Sequence, residues 1–130
     1  MLSPTGKPSF TAEEKAYIEG LLLALEPFLE IRHTMPLQYV TSFLRVALEE
    51  GEGVTEYAKK ADVSKTVMTR HLLDIGERDR EGHEGFGLVL QKRDPQDLRI
   101  NRTYVAPKGA AKMRKAISAL RLLCKDTKGL

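Results

Sequence analysis

The stretch Val54–Leu73, VTEYAKKADVSKTVMTRHLL, decides the fold. It reads as two short helices around a tight connection, the first from Thr55 to Ala61 and the second from Ser64 to about Ile75. Ser64 suits the N-cap of the second helix, because its hydroxyl can accept a backbone N–H that the first turn leaves free. Ala58 is small where the two helices must approach closely, and Val63 can fill the space between them. Met68, Leu72 and Ile75 fall on one face of the second helix, whereas Lys65, Thr66, Thr69 and Arg70 fall on another. Two residues fit this pattern poorly. Asp62 occupies a turn that glycine would ease, and Leu73 interrupts the polar stripe.

A helix that presents short hydroxyls and two cations near its N-terminal end suits the major groove of duplex DNA. Ser64, Lys65, Thr66 and Thr69 can bond phosphate, and Arg70 can reach a guanine edge with two hydrogen bonds. The pattern alone also occurs in proteins that never touch DNA, so the flanking sequence has to carry weight of its own.

C-terminal to this unit, residues 76–87 hold four glycines among charges and read as a loop. Leu88–Gln91 and Leu98–Val105 follow as two short strands around the turn Asp94-Pro95-Gln96-Asp97. This hairpin carries Lys92, Arg93, Arg99, Arg102 and, just beyond it, Lys108, against only Asp94 and Asp97. A basic two-stranded wing suits the phosphate backbone or the negative potential of a minor groove. Pro107 then opens a last helix to about residue 126, with Met113, Ile117, Leu120 and Cys124 along one seam. The charge follows the same division. Residues 1–57 carry 4 Lys/Arg and 9 Asp/Glu (net −5), and residues 58–130 carry 17 and 9 (net +8).

N-terminal to the unit, residues 11–34 form a helical segment. Thr11 and Glu14 have capping-box spacing, and Tyr17, Ile18, Leu21, Leu22, Leu25 and Phe28 share a stripe. Leu23 and Leu29 widen this stripe beyond one core contact, which fits either a partner subunit or deep burial. Pro27 should kink or divide the helix. Pro36 suits the first turn of a second helix, with Leu37, Val40, Phe43, Leu44, Ala47 and Leu48 on one face. The order is helix, helix, helix-turn-helix, hairpin, helix. The expected fold class is mainly α with a small β-hairpin wing. It corresponds to a winged helix-turn-helix core over residues 35–109, flanked by N- and C-terminal dimerisation helices, in one domain of 130 residues.

Val54–Leu73 resembles the helix-turn-helix of MarR-family transcriptional regulators. Asp94-Pro95-Gln96-Asp97-Leu98-Arg99 followed by Thr103-Tyr104-Val105-Ala106-Pro107-Lys108-Gly109 resembles that family's wing and its exit into the last helix. The similarity covers roughly residues 35–115. It implies a two-fold dimer built from the terminal helices, with one recognition helix per subunit in successive major grooves. It also implies that Arg99 contacts DNA near the minor groove, oriented by Asp97. Between Ile75 and Gly87 the chain has about eight more residues than the family pattern. This insert, with Arg78, Arg80 and His83 among four acids, can shift the wing or touch DNA or a partner.

Other chemistry finds little support. One cysteine, Cys124, excludes an internal disulfide framework. On an apolar seam it reads as a core residue more readily than as a redox sensor. His33, His71 and His83 lack metal-ligand spacing, and no phosphate loop or nucleophile motif occurs, so neither cofactor nor catalysis is expected. No apolar run suggests a membrane span and the first residues lack a signal-peptide layout, so a cytoplasmic protein is expected. The resemblance leaves room for a small-molecule effector, with Tyr17, Phe28 and Tyr39 as lining candidates that core packing explains equally well. The expected function is a homodimeric regulator that binds a near-palindromic operator in double-stranded DNA. The alternative is a winged helix protein-interaction or assembly module with only non-specific DNA binding.

Overall fold

The computed structural model describes residue 6 and residues 9–128, with side chains up to residue 123. Thr11 and Glu14 each accept the other's backbone N–H, at 3.1 and 2.8 Å, and this capping box starts the first helix, α1 (Ala12–Leu29). Pro27 does not divide it. The lost donor falls in the last turn, where one missing bond costs little continuity, and the helix ends two residues later. The helical segment expected to reach residue 34 therefore stops at Leu29. Pro36 precedes the second helix, α2 (Leu37–Leu48), as its N-cap and not as a first-turn residue. Its ψ of 134° is extended, and its carbonyl accepts from the Tyr39 N–H.

The helix-turn-helix comprises α3 (Val54–Ala61) and α4 (Lys65–Asp74). Asp62 caps α3 in the left-handed region (φ 55°, ψ 46°), where its N–H returns to the carbonyls of Ala58 and Lys59. Ser64 caps α4, its Oγ accepting from the Val67 N–H at 3.1 Å. The wing is a two-stranded antiparallel sheet, β1 (Val89–Asp94) and β2 (Asp97–Val105), with Val89 opposite Val105 and Arg93 opposite Asn101. Both strands extend to the turn, which tightens to Pro95-Gln96 because Asp94 Oδ1 accepts the Gln96 N–H at 2.8 Å. The last helix is α5 (Pro107–Lys128). Cys124 lies on it, and its side chain is outside the described residues.

One core joins these elements. Phe43 and Val46 of α2, Tyr57 of α3, Met68 and Leu72 of α4, and Ile75, Leu88 and Val89 are all at most 1% exposed. Phe28 of α1 meets Phe43 edge-on, with ring centroids 5.8 Å apart. Truncating any of these side chains to alanine would remove several methylene contacts, at about 2–5 kcal/mol. Leu37 and Leu48, expected on the buried face of α2, are instead 67% and 83% exposed, because they lie in its first and last turns, beyond the reach of the core.

α1 packs on α5 through small residues. Gly20 and Ala24 are buried, and a Cβ on Gly20 would stand 3.0 Å from Leu123 Cδ2. This arrangement turns the large apolar residues of α1 outward: Tyr17, Ile18, Leu21, Leu22 and Leu23 are all about half exposed, with Leu120 and Leu122 of α5. Among the described residues, no helix is long and apolar enough to cross a membrane.

Residues 50–52 hold the wing against the helices. The Gly51 N–H donates to the Thr103 carbonyl at 2.8 Å and the Thr103 N–H to the Glu52 carbonyl at 3.1 Å, giving β2 a partner on its outer edge. Tyr57, fully buried, donates its hydroxyl to the Glu49 carbonyl at 2.6 Å and so closes the same loop from beneath.

Two stability predictions follow from this packing. An L-residue in the left-handed region costs about 1–2 kcal/mol, less for Asp, so Asp62→Gly should gain about 0.5–1 kcal/mol. Urea unfolding would show this as a higher midpoint at unchanged slope. His71 is buried on the inner face of α4, its Nδ1 3.1 Å from Ser42 Oγ and its ring 5.3 Å from that of Tyr39. Burial pushes its imidazole below the ordinary 6.5, against the opposing pull of Asp74. The folded state therefore binds fewer protons than the unfolded one, and stability falls as pH drops through 6.5. Unfolding measured from about pH 7.5 to about pH 5 should show this loss, and His71→Gln should remove most of the His71 share.

Candidate nucleic-acid interface

Met68, Leu72 and His71 bury one side of α4, so a helix of 3.6 residues per turn must present its other side outward. Ser64, Lys65, Thr66, Thr69 and Arg70 all stand exposed on that outer side. Their bonding states differ. Ser64 Oγ already accepts from Val67, which leaves its O–H free to donate to an anion. Thr69 Oγ1 donates to the Lys65 carbonyl at 2.8 Å, which leaves it as an acceptor. Within the described residues, Lys65 and Arg70 have no side-chain hydrogen bond or ion pair.

The wing stands across a cleft from this face. The cleft, about 460 Å³, is lined by Lys65, Thr69 and Leu73 of α4 and by Gln91, Arg99 and Asn101 of the hairpin, with the start of α3 at its floor. Leu73, which interrupts the polar stripe in sequence, forms part of the cleft wall.

Arg99 and Asp97 form a preset unit. Asp97 Oδ1 accepts from Arg99 Nε at 3.0 Å and from its backbone N–H at 3.1 Å, while Oδ2 accepts from the terminal nitrogen at 3.0 Å. The Arg99 bonds hold the Asp97 carboxyl below the usual carboxylate range, and Asp97 pushes the guanidinium further up. The Arg99 side chain is nonetheless 89% exposed. Two donor groups are spent on orientation, and the remaining N–H groups point into solvent. Lys92 Nζ lies 6.0 Å from the centre of the Tyr104 ring, and Arg93 is exposed.

Arg102 departs from the expectation. Its Nε and one terminal nitrogen donate to Asp94 Oδ2 at 3.0 and 2.8 Å, and the other terminal nitrogen donates to the Gly51 carbonyl at 2.8 Å. Strand alternation explains the difference: Arg93 and its partner Asn101 share one face of the hairpin, and Lys92 and Arg102 share the other. Arg102 therefore ties the wing turn to the loop after α2. Gln91 and Asn101, absent from the sequence-based set, line the cleft; the same period of two was the signal that could have found them.

Tyr17, Phe28 and Tyr39 do not come together. Tyr17 is exposed, Phe28 is in the core, and Tyr39 borders a polar cleft of about 280 Å³ with Arg32, Asp74 and Arg80. Among the described residues, no group of three or more His, Cys, Asp or Glu is arranged to hold a metal.

The two wing arginines should separate in experiment. Arg102→Ala should lower the urea midpoint, because it releases both Asp94 and the Gly51 carbonyl. Arg99→Ala, at a solvent-facing tip, should leave the midpoint unchanged.

No family model and no curated protein matches the chain. Solved structures do. A transcriptional regulator from Thermotoga maritima superposes with a TM-score of 0.64 at 16% identity over 89% of this chain and 75% of its own. A second Thermotoga maritima protein, a MarR-like transcriptional regulator, gives 0.63 at 22% identity over 94% and 83%. FabT from Streptococcus pneumoniae, solved in complex with DNA, gives 0.61 at 15% over 90% and 78%. The chain shares the winged helix fold of these proteins, one of them a MarR-like transcriptional regulator.

Proposed function

We propose that the chain is a member of the MarR family and a regulator that binds double-stranded DNA with sequence preference, acting as a homodimer. The observation that carries this reading is the Arg99–Asp97 unit, an exposed and pre-oriented guanidinium facing Lys65 and Thr69 across the wing cleft. A cation fixed in advance loses little side-chain entropy when it meets an anion. A cleft between a recognition helix and a basic hairpin matches a groove flanked by phosphates. FabT, with the same fold, was solved in complex with DNA, and CouR was solved bound to a 23-mer duplex.

The roles we assign are supported by exposure and position. Arg70, with Lys65, Thr66 and Thr69, reads or brackets base edges in the major groove, and Ser64 donates to phosphate at the start of the helix. Arg99 enters the neighbouring minor groove, held by Asp97, and Lys92 and Arg93 follow the backbone. Arg102 acts indirectly, by fixing the angle of the wing. The exposed Tyr17, Ile18, Leu21 and Leu22 of α1, together with exposed apolar residues of α5, are the surface offered to a second copy. A second copy is the occupant that would present two recognition helices with the two-fold symmetry of a palindromic site.

The test is selection from random duplex DNA at near-physiological salt, followed by binding of the enriched sequence to wild type, Arg70→Ala and Arg99→Ala. The expected result is an inverted repeat with half-sites about one helical turn apart. Each variant should lose about 1–3 kcal/mol of discrimination. A pool with no enriched motif, bound equally by all three proteins, would refute the reading.

A further inference from the structure

The insertion between α4 and the wing folds back on the helix it follows. Its backbone pairs with the end of α4, where the Phe86 N–H donates to the Asp74 carbonyl at 3.1 Å, and with itself, where the Gly85 N–H donates to the Glu77 carbonyl at 2.9 Å and Arg78 and Glu84 form an antiparallel backbone bridge. Asp79 accepts the N–H groups of Glu81 and His83, both at 2.9 Å, which closes the tip. The segment is thus a small, internally bonded hairpin.

Its position brings Arg80 to Asp74, the last residue of α4. Asp74 Oδ1 accepts the Arg80 backbone N–H at 3.4 Å, and Oδ2 lies 3.4 Å from Arg80 Nε. Oδ2 also accepts the Tyr39 hydroxyl at 2.5 Å, which anchors the carboxylate from α2. The Asp74 side chain is 11% exposed and the Arg80 side chain 49%. A largely buried carboxylate is therefore ion-paired with a half-exposed guanidinium, more loosely than Asp97 holds Arg99 through two side-chain bonds of 3.0 Å.

Arg80 also lines a shallow depression of about 380 Å³ with Lys65, Thr66, Thr69, Arg70 and Leu73. Among the described residues no acid borders it, although Asp79, Glu81 and Glu84 border the cleft on the far side of Arg80. Around the axis of α4, Lys65 and Thr69 are common to this depression and the wing cleft, whereas Thr66 and Arg70 belong to the depression alone. Arg80 thus flanks the outward face of α4 on the side away from the wing.

We propose that Arg80, carried by the insertion and held by Asp74, is an additional phosphate contact that grips the DNA backbone on the flank of the recognition helix opposite Arg99. The inference rests on the DNA-binding reading above. Asp74 and Tyr39 are positioning residues for it. The insertion then widens the bound surface, with one carboxylate-held arginine on each side of the major groove.

Fluorescence anisotropy with the selected duplex, at several salt concentrations, tests this with wild type, Arg80→Ala, Arg80→Lys and Arg70→Ala. Arg80→Ala should weaken binding about tenfold. Its log–log salt slope should be shallower by about 0.9 per subunit, because one phosphate is no longer neutralised. Arg80→Lys should keep the wild-type slope. Wild-type affinity and slope in Arg80→Ala, with Arg70→Ala impaired, would overturn this proposal alone. Weaker binding at an unchanged slope would also overturn it, since a purely structural loss moves affinity without moving ion release. Absence of duplex binding by the wild type would overturn both this proposal and the reading beneath it.

Discussion

The structure depends on the burial of one side of α4. Met68, Leu72 and the following Ile75 sit at or below 1% exposure against Phe43, Tyr57, Leu88 and Val89. Because those contacts come from α2, α3 and the root of the wing, a single packed junction sets the tilt of α4 and the position of the hairpin together. Close packing makes that junction stiff. The outward residues of α4 and the wing are therefore presented at a fixed separation, which the proposed match to a rigid duplex requires.

Around this junction the chain makes repeated use of carboxylates to fix cations. Asp97 holds Arg99, Asp94 holds Arg102, and Asp74 is paired with Arg80. The three pairs differ in exposure, and exposure separates their roles. Arg99 is 89% exposed and Arg102 37% exposed, with Arg80 between them at 49%. An exposed ion pair contributes little stability, so the Arg99 pair makes sense as orientation more than as cement. The Arg102 pair, extended to the Gly51 carbonyl, is the one that braces the fold.

Much of this was legible in the sequence because it rests on local rules. The Ser64 cap, the outward set Lys65, Thr66, Thr69 and Arg70, the turn at Asp94–Asp97 and the strain at Asp62 all depend on residues a few positions apart, and each appears where spacing puts it. The structure departs from these expectations where distant contacts decide. Arg102 looked like its neighbours in the wing, but its partners include a carbonyl 51 residues away. Leu37 and Leu48 fitted the apolar period of α2, yet the core covers only the middle of that helix. In α1 the wide stripe left partner subunit and deep burial equally open. The structure supplies what periodicity lacks: Gly20 lies against Leu123 of α5, and Leu21, Leu22 and Leu23 are left outside. The relation of Arg80 to α4 was beyond sequence, since it requires the fold-back of the insertion.

The central claim is that the outward face of α4 and the tip of the wing form one surface for duplex DNA. Backbone amide NMR shifts of the labelled protein, followed as a selected duplex is added, address it most directly. The account predicts saturable shifts concentrated at Ser64–Arg70 and around Arg93–Arg99, with α1 little changed. Shifts that map instead to α1, or none that saturate, would contradict it.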